Sequence, residues 1–166
     1  MVRRKNVLLT VLIGSAFLTS WRAVPQTSKK AQQQGQAELL LLHRDERRAH
    51  FEHDVNFLLA HVAPQLLDVR DGLVNRMSRE DVRAKFVEYF KNAQFSAWDD
   101  VEPPIVRVSA DRTMGWMIVR VRIAYSKTDA SGKKTNENTV GAWMSAYEKQ
   151  NGTWMMTAVT STFGQN

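Results

Sequence analysis

The sequence predicts an α+β domain whose helices gather on one face of an antiparallel sheet. Three observations carry that prediction. Apolar and polar residues alternate over three long stretches in the last third of the chain, at 114–127, 139–149 and 153–163. The second and third are separated by Asn151-Gly152, the strongest two-residue hairpin signal present. Residues 37–62, by contrast, repeat their apolar side chains at helical spacing.

Composition sets the limits. With 166 residues, 43% of them hydrophobic, five Trp and seven Phe, the chain can bury a core and is not disordered. It has no Cys, which excludes a disulfide framework, a thiolate metal site, a cysteine nucleophile and a lipid-anchored cysteine behind a leader. The formal charge of +6 suggests an anionic partner until the charge is located. Arg3, Arg4, Lys5 and Arg22 fall within residues 1–23, where there is no acidic residue, so only two positive charges remain in excess beyond them. A nucleic-acid binder needs basic residues concentrated on one face, and this composition argues against one.

Residues 1–23 pair a basic start with an apolar run from Val7 to Leu18, the layout of a secretory leader. The run is shorter than the ~20 residues of a spanning helix. We expect export across the inner membrane of a bacterium, with a mature start between Phe17 and Gln26, or an uncleaved N-terminal anchor. The protein would then be periplasmic or secreted, touching membrane only through its leader. Residues 24–36, polar and carrying Pro25 and Gly35, read as a flexible linker, which leaves 37–166 as the domain.

Within the domain, Leu40, Phe51, Val55, Leu58, Leu59 and Val62 share one broad face of a long first helix that ends before Pro64. Asp71-Gly72 joins two short strands, 66–71 and 73–76, in a hairpin. Ser78 and Asp81 form a near capping box that starts a helix through Val82, Phe86, Tyr89 and Phe90. Residues 95–100 read as a connector holding Trp98, and Pro103-Pro104 leads into an extended segment at 105–108. In the long strands Met117, Val119, Val121, Ile123 and Tyr125 form the buried face. Trp116, Ile118, Arg120 and Arg122 form the other, where the two arginines either bind an anionic ligand group bidentately or belong to a solvated or dimer-forming outer face.

This pattern resembles the nuclear-transport-factor-2-like superfamily, in its SnoaL-like branch, over about residues 38–166. The carrying features are the long first helix, the Asp71-Gly72 hairpin, the helix start Met77-Ser78-Arg79-Glu80-Asp81, and the final hairpin Glu148-Lys149-Gln150-Asn151-Gly152-Thr153-Trp154. The resemblance implies a cone-shaped, cystatin-like α+β fold. A curved antiparallel sheet wraps a long N-terminal helix and shorter helices and leaves a pocket at its open end. Homodimers are also implied. No reaction is, because one scaffold hosts isomerases, dehydratases, hydrolases, cyclases and binding domains.

Candidate site residues follow from the polar and aromatic inventory. His43, His50 and His61 project within roughly 20° of one another on a continuous helix, with Asp54 beside them. His50 and Asp54 at i,i+4 are the minimum for an oriented general base. The competing reading is a solvated polar stripe. Trp98, Tyr89, Trp143 and His53 are the candidate ligand-binding residues, with Trp98 at a pocket mouth. Neither metal ligands with recognisable spacing nor a cofactor motif is found. A serine hydrolase elbow is missing as well. The expected function is an exported pocket domain for a small apolar or aromatic ligand, with no assigned reaction. The alternative is a small isomerase- or dehydratase-like enzyme using the His50–Asp54 pair.

Overall fold

The computed structural model describes residues 26–165. The expected leader at 1–23 lies outside them. The order of elements is α1 (Gln26–Glu52), α2 (Val55–Ala60), β1 (Val62–Arg70), β2 (Leu73–Ser78), α3 (Arg79–Phe90), β3 (Ala93–Asp100), β4 (Ile105–Val108), β5 (Met114–Thr128), β6 (Lys134–Gln150) and β7 (Thr153–Gln165). The strands form one curved, unclosed sheet in the order β2-β1-β7-β6-β5-β3, with β4 also paired to β5. β5, β6 and β7 are consecutive antiparallel neighbours as expected. The sheet is mixed rather than purely antiparallel, because β1 runs parallel to β7.

Local chemistry explains the hairpins. Asp71 and Gly72 have φ of 53° and 75°, and Asn151 and Gly152 have 51° and 85°. Two successive positive-φ residues give the turn twist that matches paired strands. At the start of α3, Ser78 Oγ accepts from the Asp81 N–H while the Asp81 carboxylate accepts from the Ser78 N–H, a complete capping box.

Three expectations need correction. The linker expected over 24–36 is helical from Gln26 onward, and Gln32 and Gln36 donate to the Val108 and Val106 carbonyls of β4. The single helix expected over 37–62 is broken. His53 takes φ 54°, and the Asp54 side chain accepts from the Phe57 N–H as the N-cap of α2. The connector expected at 95–100 is β3, paired along β5. Its register shifts between Phe95 and Ala97. The extra residue bends the strand and lets both Phe95 and Trp98 face the helices, three positions apart.

The break also rotates the buried face of α1. Leu39, Leu42, His43, Ala49 and His50 are buried there, whereas Leu40 and Phe51 are exposed. α1 lies against β3, β4 and β5, and the main core joins Leu39 and Leu42 to Val106, Met117, Val119, Val121, Tyr147 and Trp154. Backbones meet closely at Gly115, where an added Cβ would lie 2.9 Å from Leu39 Cδ1 and 3.2 Å from the Arg107 carbonyl oxygen.

Glu38 clamps this end of α1. Its Oε1 accepts from Arg112 Nη2 at 2.8 Å, and its Oε2 from Trp154 Nε1 at 2.9 Å and from Lys149. Burial opposes the charge, but these donors outweigh it and hold the carboxyl below its usual range. Glu38→Ala leaves one indole and two cations without their shared acceptor. It should lower stability by about 2 kcal/mol, the scale of a hydrogen bond to a charged group. Urea unfolding measures it, and a change below about 0.5 kcal/mol, typical of a surface substitution, would show that the clamp contributes little.

Candidate functional site

The helices and the concave face of the sheet enclose a cavity of about 350 Å³. That is within the size range of small-molecule sites, which starts at about 300 Å³. Its walls are mainly apolar, drawn from Leu58 on α2, Val62 and Leu66 on β1, Val82 and Phe86 on α3, Ile123 on β5, and Met156 and Val159 on β7. The inner end holds His50, Trp98 and Ser145, all buried. Arg70, Lys85 and Phe163 are exposed residues of the same lining and mark the open end.

His50 is held by its own helix. Nδ1 donates to the Glu46 carbonyl oxygen at 2.8 Å, which leaves Nε2 as the unprotonated acceptor. The ring stacks on Trp98 at 4.5 Å between centroids and meets Phe86, Tyr89, Phe90 and Phe95 edge-on. Burial pushes its pKa below the ordinary 6.5, and contact with Glu46 offsets only part of that. The imidazole is therefore neutral at pH 7.

His43, two turns earlier, has the opposite balance. Nε2 lies 2.8 Å from Asp100 Oδ1 and Nδ1 3.7 Å from Glu46 Oε2. Burial acts against its charge, but the two carboxylates prevail and raise its pKa above 6.5. Glu46, itself on the cavity wall, thus has His43 behind it. Burial keeps the Tyr89 phenol protonated, its pKa well above the usual value.

The deepest carboxylate is Asp68 on β1, which is 1% exposed. Its Oδ1 accepts from Arg70 Nε at 3.0 Å and Nη2 at 2.9 Å, while Lys85 Nζ stands 3.4 Å from Oδ2. Leu66, Asp68 and Arg70 alternate along β1 onto its inner face, and Val82, Lys85, Phe86 and Tyr89 share one face of α3. Ser145 and Ser161 also belong to the lining, but their hydroxyl oxygens are shielded from the cavity, and that of Ser145 pairs with the Tyr147 phenol.

Three of the six residues singled out from the sequence line the wall with His50: Trp98, Tyr89 and Trp143. Trp98 belongs to the inner end, not to a mouth, since it is 3% exposed. Asp54 does not orient His50, because the helix breaks between them and its carboxylate caps α2. His53 is exposed and stacks on Phe90 outside the lining. His61 is directed to the Trp154 carbonyl. Sequence reasoning missed Glu46, Asp68, Arg70 and Lys85 altogether. A usable signal existed in the period-two run Leu66-x-Asp68-x-Arg70, which sets two charges behind a core leucine. Among the described residues no group of three His, Cys, Asp or Glu side chains is placed to hold a metal ion.

No protein-family model matches the chain, and no curated protein is similar to it. Solved structures are. A candidate dehydratase of the NTF2-like family from Streptomyces avermitilis superposes with a TM-score of 0.62 at 12% identity, covering 81% of this chain and 99% of its own. A ketosteroid isomerase-like protein from Erwinia carotovora atroseptica gives 0.59 at 12% identity over 79% and 97%. An uncharacterized protein with a cystatin-like fold from Caulobacter vibrioides gives 0.59 at 14% over 80% and 91%. Identities this low establish architecture and nothing finer. The chain has the NTF2-like fold.

Proposed function

We propose that the chain is a small-molecule-binding domain of the SnoaL-like type, whose ligand is a largely apolar molecule held in the cone. The observation that carries this reading is the cavity itself, about 350 Å³ with mainly apolar walls and the buried ring of His50 at its inner end. Apolar walls supply affinity through burial, while Tyr89 offers a donor and His50 Nε2 an acceptor for orientation.

The uncharged probe N-phenyl-1-naphthylamine tests it. Binding should change the emission of Trp98 and Trp143, which lie 5.8 Å apart on the cavity wall. Val159→Trp fills the cavity and should abolish the change while thermal unfolding stays cooperative. A probe response that survives this substitution places binding elsewhere and defeats the reading.

A second reading, proton transfer, is favoured by the state of His50. A neutral imidazole with a fixed tautomer and its free nitrogen in an apolar cavity is a general base. It would act without Asp54, on a carbon acid or hydroxylated compound. Linkage tests the protonation states of the two histidines independently of any substrate. His43, with its folded pKa raised, stabilises fully below pH 6.5, and that contribution is lost as pH rises through the folded value. His50, with its folded pKa lowered, costs stability as pH falls below 6.5. The destabilisation caused by His43→Gln should therefore shrink between pH 5.5 and 8.5, and that caused by His50→Gln should grow. Equal pH slopes for both variants would contradict these assignments.

Two features complete the proposal: export by the leader, and self-association through the outer sheet face. That face carries Ile118 and Met144, both exposed, beside Arg120 and Arg122. Cell fractionation should recover a shortened protein outside the cytosol, and light scattering a dimer mass. Full-length cytosolic protein, or a monomer at high micromolar concentration, would remove the corresponding feature.

A further inference from the structure

We infer that the open end of the cavity is an anion subsite, and that the ligand is an apolar monoanion such as an organic carboxylic acid. The inference rests on the cavity-binding reading and adds the ligand's charge and orientation to it. Asp68 needs one cation, and Arg70 supplies it with two donors on Oδ1 at 2.9 and 3.0 Å. Lys85 brings a second positive charge to the same carboxylate, so these three side chains carry one in excess. Asp81, committed to the Ser78 cap, also acts on Lys85 from one turn away on α3.

The geometry of that second contact is loose. A charge-assisted N–H···O bond is about 2.7–2.9 Å long. Lys85 Nζ is 3.4 Å from Asp68 Oδ2 and 3.3 Å from the weak acceptor Met77 Sδ. Asp68 is its only carboxylate partner among the described residues. Structural pairing would draw Lys85 in; instead its ammonium stands at the rim of an apolar cavity with donor capacity free.

The remaining charges agree. Glu46, the other acidic residue of the lining, contacts His43, which it shares with Asp100, and His50 is neutral. The two cationic side chains of the lining, Arg70 and Lys85, thus both stand at the mouth, beside exposed Phe163. Asp68 acts as a tether. Its buried carboxylate fixes the Arg70 guanidinium at the end of β1 and leaves Nη1 for a ligand oxygen. A ligand carboxylate received between Arg70 and Lys85 directs the apolar body inward, toward Trp143 and Trp98.

Two fluorescent probes of nearly the same ring system separate the claims: uncharged N-phenyl-1-naphthylamine, and 8-anilinonaphthalene-1-sulfonate, which adds one anionic group. Wild type should bind the sulfonate more tightly. Lys85→Gln removes an exposed charge and should keep the fold. It should weaken sulfonate binding about ten-fold, the loss expected for one charged hydrogen bond, and leave the neutral probe within about two-fold. Asp68→Asn/Arg70→Gln, which removes a charge pair together, should weaken the sulfonate likewise without stranding a buried carboxylate. Equal affinity for both probes, or equal losses of both in Lys85→Gln, overturns the anion subsite while the cavity reading stands. Failure of the neutral probe to bind wild type defeats the cavity reading itself, and the ligand class with it.

Discussion

Everything in the domain is positioned by how closely α1 can approach the sheet. Gly35 and Gly115 remove two side chains at the contact. A Cβ on Gly35 would sit 3.0 Å from Val108 Cγ1, and one on Gly115 would press on Leu39. With the helix axis drawn in there, Leu39 and Leu42 reach into the sheet's own core, and Glu38 meets donors from three separate places: Arg112, Lys149 and Trp154. The other half of the same rigid rod then passes over the concave face at a fixed height. The positions of His43, Glu46 and His50 follow from a contact at Gly35, about two to four turns away. A helix this anchored cannot settle further to fill the space beneath its second half, so the space persists as a cavity.

Two histidines seven residues apart on one buried face illustrate how the cavity sets charge. His43 faces Asp100 and Glu46, and its neighbours favour the imidazolium. His50 faces five aromatic rings and one backbone carbonyl, and burial favours the neutral form. Chain position and residue type are alike; only the surroundings differ. The charge pattern that results is orderly: both cationic side chains of the lining at the open end, a neutral acceptor at the inner end, and His43 shared between Asp100 and Glu46. Coulomb energies in such surroundings exceed those in water several-fold, so this placement shapes what can enter.

The sheet was far more legible than the site, and the reason is physical. Long strands with one buried face announce themselves by strict alternation, and Asn-Gly turns need a backbone conformation few other residues accept. The resemblance to the NTF2-like superfamily rested on those features, and the solved structures bear it out. The errors arose where a local device interrupts a period. Treating 37–62 as one helix placed the apolar face through Leu40 and Phe51, because Val55, Leu58 and Leu59 of α2 were fitted on the same wheel. With the break at His53, the buried face of α1 moves to Leu39, Leu42, Ala49 and His50. His50 is thereby part of the buried face and not of a solvated stripe. The shift between Phe95 and Ala97 did the same to β3: apolar residues three apart look like no strand at all. Lys85 was invisible for another reason. It meets Asp68 only because β1 and α3 pack side by side, with residues 17 apart brought to 3.4 Å, and no single-element pattern encodes that.

Binding and catalysis are not distant alternatives in this cavity. On the proposed reading, a ligand retained by its charge at the mouth would present its uncharged end to the inner wall, where His50 Nε2 offers a lone pair. Whether a proton moves depends on what that end carries. An inert ring or alkyl group finds only a snug apolar contact and one orienting hydrogen bond. A carbon made acidic by a neighbouring carbonyl finds a base, and Tyr89, whose phenol burial keeps protonated, as a donor elsewhere on the wall. On the proposed reading, the same lining would serve as a receptacle for one molecule and as a proton-transfer site for another. The helices bring Glu46, His50, Lys85 and Tyr89, and β1 brings Asp68 and Arg70, to walls that are otherwise mainly apolar. Chemistry in such a cavity depends on those few side chains and not on the frame of β5, β6 and β7, which is why the fold alone leaves the reaction open.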